Sequence, residues 1–445
     1  MKTLGARLGK KRIAATAASA AALVLLAACG SDGSSSDGDA AKQTDSGGAI
    51  TVWVDPPRVP AAEAFKKAHP EIETKINQID GTVGGKSLQQ QFAQFNEAGK
   101  GWPDAIFFPS NDDIAWATGP QINYVADLSD KLSDVIDGYE DAVIAPCNID
   151  GKIRCLRNDA APDVFWYNKA FFDENGYSLP TTWEEYADLA VKIAAEHPGK
   201  LSGFLGDAYA VNRYLQASGC PTNDRVSETE AHIDLSDPTC VRATELLTQM
   251  YDGGALSTQG IFDGDAAAAG ANLVMSPGAV WWGNYLFRDT WKIPAGQMTA
   301  VAPLSWEGES KPSTGNEGGG LWGVSSHITG KQLENALTFA TFVATDPAWQ
   351  VELSTGLPGY GPVQDPWLAK IESDAYFSEI PTVQQAFKDA ASAVNPYSYM
   401  LYDTGSVWAE TVSPTLIAGG TVEEAIAAFG EELVNQAKSV GYTVK

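Results

Sequence analysis

Residues 150–186 read DGKIRCLRNDAAPDVFWYNKAFFDENGYSLPTTWEEY, and the run changes character from one end to the other. At its front, Cys155 closes the segment CNIDGKIRC that opens at Cys147. A three-residue loop of Asp150, Gly151 and Lys152 predicts a hairpin with the two cysteines directly across from each other. At its back, Thr182 and Glu185 have the spacing of a capping box, and Tyr186, Leu189, Ala190 and Ile193 recur at helical period. Trp183 is assigned to the core of that helix's packing.

The same alternation extends on both sides. AITVWV at 49–54 is a short β-rich apolar run stopped by Asp-Pro-Pro, and DAIFFP at 104–109 reads as a second buried strand. DPTCVRATELLTQMYDGG carries Pro238 near its first turn and stops at Gly253, and KQLENALTFATFVATDP ends before Pro347, as helices do. Alternating strands and helices predict an α/β fold built mostly on parallel sheets. No internal repeat or heptad pattern is present.

Ahead of these elements lies a leader. Lys2, Arg7, Lys10, Lys11 and Arg12 precede an Ala/Leu/Val-rich run from Ile13 to Leu26, the pattern of a secretory signal. LAAC at 26–29 resembles the lipobox of bacterial lipoproteins, so residues 1–28 are expected to be removed and Cys29 to carry diacylglycerol. Residues 29–48 are Gly- and Ser-rich, lack large apolar side chains, and read as a flexible tether. With Cys29 set aside, four of the five cysteines remain, and export permits them to pair. The expected pairs are Cys147–Cys155 and Cys220–Cys240. The net charge of −26 repels nucleic acid and anionic headgroups and favours solubility. Nucleic acid is therefore excluded as a partner, and contact with membrane is confined to the lipid anchor.

Catalytic and metal motifs are missing from the chain. GTVGGKS at 81–87 ends like a phosphate loop, but Asp80 stands where the first glycine is required. HExxH, GxSxG and EF-hand patterns do not occur, and the four histidines are scattered. No cofactor and no metal are expected.

In order along the chain, AITVWV, NEAGKGWPDAIFFPSNDD, the 150–186 run, AAAAGANLVMSPGAVWW, EGGGLWGVSSHI and STGLPGYGPV resemble the segments of family-1 extracellular solute-binding proteins of carbohydrate ABC importers, the group that includes maltose-binding protein. The resemblance spans roughly Ile50 to Phe429. It implies a type II periplasmic-binding-protein fold, with two α/β lobes, three hinge crossings, and a sugar held between the lobes. Crossings near Asp159, Gly318 and Tyr397 would assign residues 49–159 plus 318–395 to one lobe and 160–317 plus 396–445 to the other. Two positions depart from the family pattern: Arg157 replaces the usual proline and Cys155 the usual glycine.

The implied protein is a receptor, not an enzyme. It acts as a monomer on the outer face of the bacterial cell membrane and delivers a mono- or oligosaccharide to permease subunits by lobe closure. A sugar site needs planar hydrogen-bonding groups and aromatic platforms. The polar candidates are Asp55, Arg58, Asn111, Asp112, Asn158, Asp159, Glu317 and Gly318. The aromatic candidates are Trp281, Trp282, Tyr397, Tyr399 and Trp408. If Trp281 and Trp282 lie in an extended segment, they point to opposite faces, one as core anchor and one as platform. The following Gly283 and Asn284 favour Trp282 as the platform. Two other readings compete: an iron or anion receptor of the same fold, drawing on the tyrosines of NPYSYMLY, and a secreted glycoside-acting enzyme.

Overall fold

The computed structural model describes residues 45, 47–79, 86–120, 122–227, 229–377, 381–395 and 400–445. The signal run, Cys29, nearly all of the tether, the GTVGG turn, Tyr397 and Tyr399 lie outside the described residues.

The first sheet has the strand order Thr74–Gln78, Ile50–Val54, Ala105–Phe108, Leu321–Val324, Leu156–Arg157. Its first three strands are parallel, and Leu321–Val324 runs antiparallel to both of its neighbours. AIFF is buried at all four positions, as an unbroken apolar run must be when helices or loops cover both faces. One cover is made by the helices Val59–Ala68 and Gly330–Thr345, where Phe65 meets Phe339 and Phe342 edge-on.

The second sheet has Asp163–Asn168 between Met275–Ala279 and Met298–Val301. Both faces of its central strand are buried: Val164 and Trp166 belong to one core, and Phe165 to the other. The helices Trp183–Glu196, Pro238–Asp252, Thr404–Ile417 and Val422–Ser439 enclose that second core. This sheet is antiparallel throughout, against the expectation of mostly parallel pairing. The reason is topological. Asp163–Asn168 leads away from the first sheet, and both flanking strands run back toward it.

Between Arg157 and Asp163 the chain passes from the first sheet to the second, and between Val301 and Leu321 it returns. The two passages are stitched together: Asn158 N donates to Gly320 O at 3.0 Å, Glu317 N to Ala161 O at 2.9 Å, and Asp163 N to Gly315 O at 3.1 Å. A third passage is Leu357–Pro358, paired with Asp159–Ala160. Beyond it, the helix Pro381–Ala391 packs on the second sheet, with Phe387 against Trp166 at 6.0 Å between centroids. The expected lobe boundary assigns 318–395 to the first lobe, and the expected third crossing near Tyr397 lies outside the described residues. An amphipathic helix reveals that one face is buried but not which sheet buries it.

Both expected disulfides are present, Cys147–Cys155 with Cα atoms 5.0 Å apart and Cys220–Cys240 with Cα atoms 4.5 Å apart. The hairpin differs from its expected form. Ile149 pairs with Lys152, so the loop is two residues, Asp150 and Gly151, both at positive φ. That shift sets Cys147 opposite Arg154, whose N–H it accepts at 2.8 Å, and the disulfide runs diagonally to Cys155. The capping box at Thr182 and Glu185 is present, and Trp183 is buried in a parallel stack with Trp306. Among the described residues no helix is long and apolar enough to cross a membrane.

Candidate ligand-binding cleft

Strand ends in an open α/β sheet leave a crevice beyond their carboxyl termini, and here Asp55 follows Val54 and Pro109 follows Phe108. Together with the crossings they border a cavity of about 780 Å³. Its far wall comes from the second sheet's side, where Asp207, Tyr209, Phe262, Trp281 and Tyr285 face inward.

The adjacent tryptophans divide their roles. Val280–Trp282 is a single 3₁₀ turn, not an extended segment, so successive side chains fan out by about a third of a turn. Trp281 lines the cavity, with Tyr209, Phe262 and Tyr285 at centroid distances of 5.8, 6.0 and 6.1 Å. Trp282 is fully buried among Phe287 and Trp291. It packs over Gly278, where any side chain would come within 2.6 Å of the indole. Trp281 is therefore the indole that borders the cavity and Trp282 the one sealed in the core, whereas the sequence favours Trp282 as the cleft-facing one.

Glu317, on the second crossing, ties both indoles down. Its backbone carbonyl accepts Trp281 Nε1 at 2.9 Å, and its Oε2 accepts Trp282 Nε1 at 3.0 Å. Its Oε1 accepts Arg213 Nε at 2.6 Å. The buried guanidinium of Arg213 also binds Asp207 at 3.2 Å and lies 4.8 Å from the Trp282 ring centroid. Burial, reinforced by Asp207, outweighs Arg213 and pushes Glu317 up to about 7. Asp163 beside it is fully buried, with neither carboxyl oxygen hydrogen-bonded, and burial and the Glu317 charge raise its pKa well above the carboxylate range.

On the opposite wall, Asp55 caps the turn Pro56–Arg58 and holds Arg58 Nη1 at 3.1 Å. The Arg58 guanidinium lies 4.2 Å from the centroid of Phe107. Burial raises the Asp55 pKa against the pull of Arg58, and the charge of Asp159 adds to the rise. Asp159 also lines the cavity. Asn158 borders it too, although its Oδ1 is already taken by the indoles of Trp322 at 3.0 Å and Trp349 at 2.9 Å.

Asn111, Asp112 and Gly318 stand beside the main cavity, around a recess of about 20 Å³ shared with Asp403. There Asn111 Nδ2 donates to Gly318 O at 3.2 Å, and Asp112 Oδ2 accepts Thr404 N at 3.2 Å. Arg157, the departure from the family's proline, donates to Asn111 Oδ1 and to Gly318 O. Trp408 is absent from the cavity. It is fully buried against Phe429, with Nε1 donating to Leu205 O at 2.8 Å, because Trp408 and Val412 form the inward stripe of their helix.

A wall of aromatics facing carboxylates and a guanidinium, set where the chain crosses between sheets, suits a small polar solute with apolar faces. Residues 53–348 match the bacterial extracellular solute-binding protein family. The chain belongs to that family. It is 22% identical over 308 residues to the multiple sugar-binding protein of Streptococcus mutans serotype c, covering 64% of this chain and 67% of that one. Its fold is similar to that of the ABC transporter associated binding protein from B. animalis subsp. lactis Bl-04 in complex with beta-1,6-galactobiose. The TM-score is 0.75 at 20% identity, over 89% of this chain and 99% of that one. It is also similar to the galacto-N-biose-/lacto-N-biose I-binding protein from Bifidobacterium longum in complex with lacto-N-biose. Here the TM-score is 0.74 at 19% identity, over 90% and 100% of the two chains. The fold is thus the two-lobed periplasmic-binding type.

Sequence reasoning missed several residues of this solute-binding protein's cavity: Asp207, Tyr209, Phe262, Tyr285, Trp349 and Thr355. Thr355 and Gly356 lie inside STGLPGYGPV, a segment read only as a turn. No comparable signal marked Tyr209 or Phe262. Among the described residues no group of three His, Cys, Asp or Glu is placed to hold a metal ion.

Proposed function

We propose that this solute-binding protein is the extracytoplasmic receptor of an ABC importer and that it takes a mono- or oligosaccharide into the cleft between its lobes. The observation that carries this reading is the pairing of walls: Trp281 with its aromatic neighbours on one side, and Asp55, Arg58 and Asp159 on the other. An aromatic face covers the C–H side of a sugar ring, and planar charged groups bind its hydroxyls. The sugar-bound relatives of the same fold support the assignment. Ligand draws the lobes together about the crossings, and the closed form is what the permease subunits receive. Cys29 carries the lipid that holds the receptor at the outer face of the membrane, residues 29–48 give it reach, and it works as a monomer. Calorimetric titration of the soluble domain with β-1,6-galactobiose, lacto-N-biose and maltose tests the reading. Saturable binding to at least one sugar, with compaction in small-angle scattering, is expected. Silence across a wide sugar panel overturns it.

A further inference from the structure

We infer that the cleft selects by charge: it accepts neutral and amine-bearing sugars, rejects acidic ones, and uses Asp159 as its selector. The inference deepens the sugar-receptor reading and rests on it.

Among the described residues, the acidic and basic side chains bordering the cavity are Asp55, Asp159, Asp207, Asp289, Glu317 and one cation, Arg58. An acidic sugar needs a free guanidinium or ammonium, and neither basic group here is free. Arg58 is held by Asp55 at 3.1 Å and covers the Phe107 ring. Arg213 lies behind the wall, fully buried, and is divided between Asp207 and Glu317. Arg58 and Arg213 are matched to carboxylate, and Arg157, behind Gly319, donates to Asn111 Oδ1 and Gly318 O. Among the described residues a uronate, phosphate or sulfate would therefore meet only guanidinium groups that already have partners.

Asp159 is the carboxylate left over. Among the described residues no Lys, Arg or His nitrogen forms an ion pair with it. Its Oδ1 accepts Asn158 Nδ2 at 2.6 Å, a neutral donor. On its other side the third crossing passes as Gly356, where any side chain would come within 2.6 Å of Oδ2. The glycine makes room for a carboxylate that faces the cavity, and the charge of that carboxylate raises the Asp55 pKa. In a partly desolvated cleft such a charge acts at short range with little screening, attracting an ammonium and repelling a carboxylate. Asp289, exposed at the rim, adds to the same field.

Two measurements test the rule. The first titrates matched sets: galactose, galactosamine and galacturonate, then glucose, glucosamine and glucuronate, each as monosaccharide and as β-linked disaccharide. The uronate should bind at least tenfold more weakly than its neutral parent, and the amine as tightly or more tightly. In Asp159→Asn the affinity ratio of amine to uronate should shrink at least tenfold, with the melting temperature kept. Asp289→Asn should shrink it less. A uronate that binds as well as its parent, or an unchanged ratio in Asp159→Asn, overturns the inference.

The second measurement needs no sugar. Quenching of Trp281 fluorescence, taken as the difference between the native protein and Trp281→Phe, should be stronger with caesium than with iodide, and Asp159→Asn should narrow that gap. Equal quenching by the two ions overturns the charge rule whatever the titrations give. A caesium preference with no sugar bound would instead sink the sugar reading and leave the charge rule standing.

Discussion

Trp281 and Trp282 are neighbours in sequence and yet answer to different free energies. Trp282 fills a sealed pocket and returns its N–H to Glu317, so Trp282→Ala opens a large cavity and frees a buried carboxylate oxygen. Its expected cost is about 3 to 5 kcal/mol of stability in denaturant melts. Trp281 borders open space, so Trp281→Ala should weaken sugar binding at least about tenfold, roughly 1.4 kcal/mol by titration, and lower the melting temperature much less. Equal losses of stability in the two variants would contradict this division. The sequence pointed to the pair because two adjacent indoles in a Gly-rich run are unusual. Period-2 alternation does not order the two indoles, because Val280–Trp282 forms a 3₁₀ turn. Trp408 makes a related point: an aromatic close in sequence to an expected crossing packs in the core when its helix turns it inward.

At the level of elements, local signals were the readable ones. The Thr182 and Glu185 capping box, the Asp-Pro start and Gly stop of Pro238–Asp252, and both disulfides depend on residues close in sequence, and all are present. Pairing direction and partner choice depend on distant segments. The antiparallel second sheet and the seat of Pro381–Ala391 against it therefore stayed hidden. The hairpin shows both sides of this. Its tip residue Asp150 reaches Arg225 of the small Asp224–Ser227, Glu230–His232, Thr443–Val444 sheet at 2.9 Å, a contact no local pattern announces. The two disulfides differ in what they constrain, with sequence separations of 8 and 20. By loop-closure entropy, Cys147→Ser with Cys155→Ser should cost about 2.5 kcal/mol, and Cys220→Ser with Cys240→Ser about 3 kcal/mol. Because the two-residue turn at Asp150 and Gly151 specifies the hairpin by itself, the first loss should leave sugar affinity nearly unchanged. Titration and urea melts of the two double variants check the order.

For the whole molecule, the buried acids set how stability depends on pH. Asp112 and Asp113 lie in the first turn of the helix Asn111–Thr118, and Asp403 caps the helix Thr404–Ile417. Burial raises all three, with repulsion from Asp403 adding to the rise in Asp112 and Asp113, and Asp113 reaches about 8. Glu317, at about 7, adds to the same trend at the crossing. A carboxyl whose pKa is higher in the folded state than its usual 3.8 or 4.5 binds more protons when folded. Its stabilisation is complete below that usual value and is lost as pH rises through the folded value. Exposed acids with lowered pKa, such as Asp234 and Asp237, act in the opposite sense and weaken the fold only as pH falls through their own low values. The melting temperature should therefore be highest near pH 4 to 5 and fall steadily toward pH 8. General repulsion in a chain of net charge −26 predicts the same direction, so direction alone does not separate the two causes. Asp113→Asn does, because it removes one raised carboxyl and only one charge in the unfolded chain. If the buried cluster dominates, calorimetric scans from pH 5 to 8 should show a clearly shallower fall for Asp113→Asn. They should also show little change for an exposed substitution such as Glu63→Gln, and equal slopes in both variants would assign the dependence to net charge.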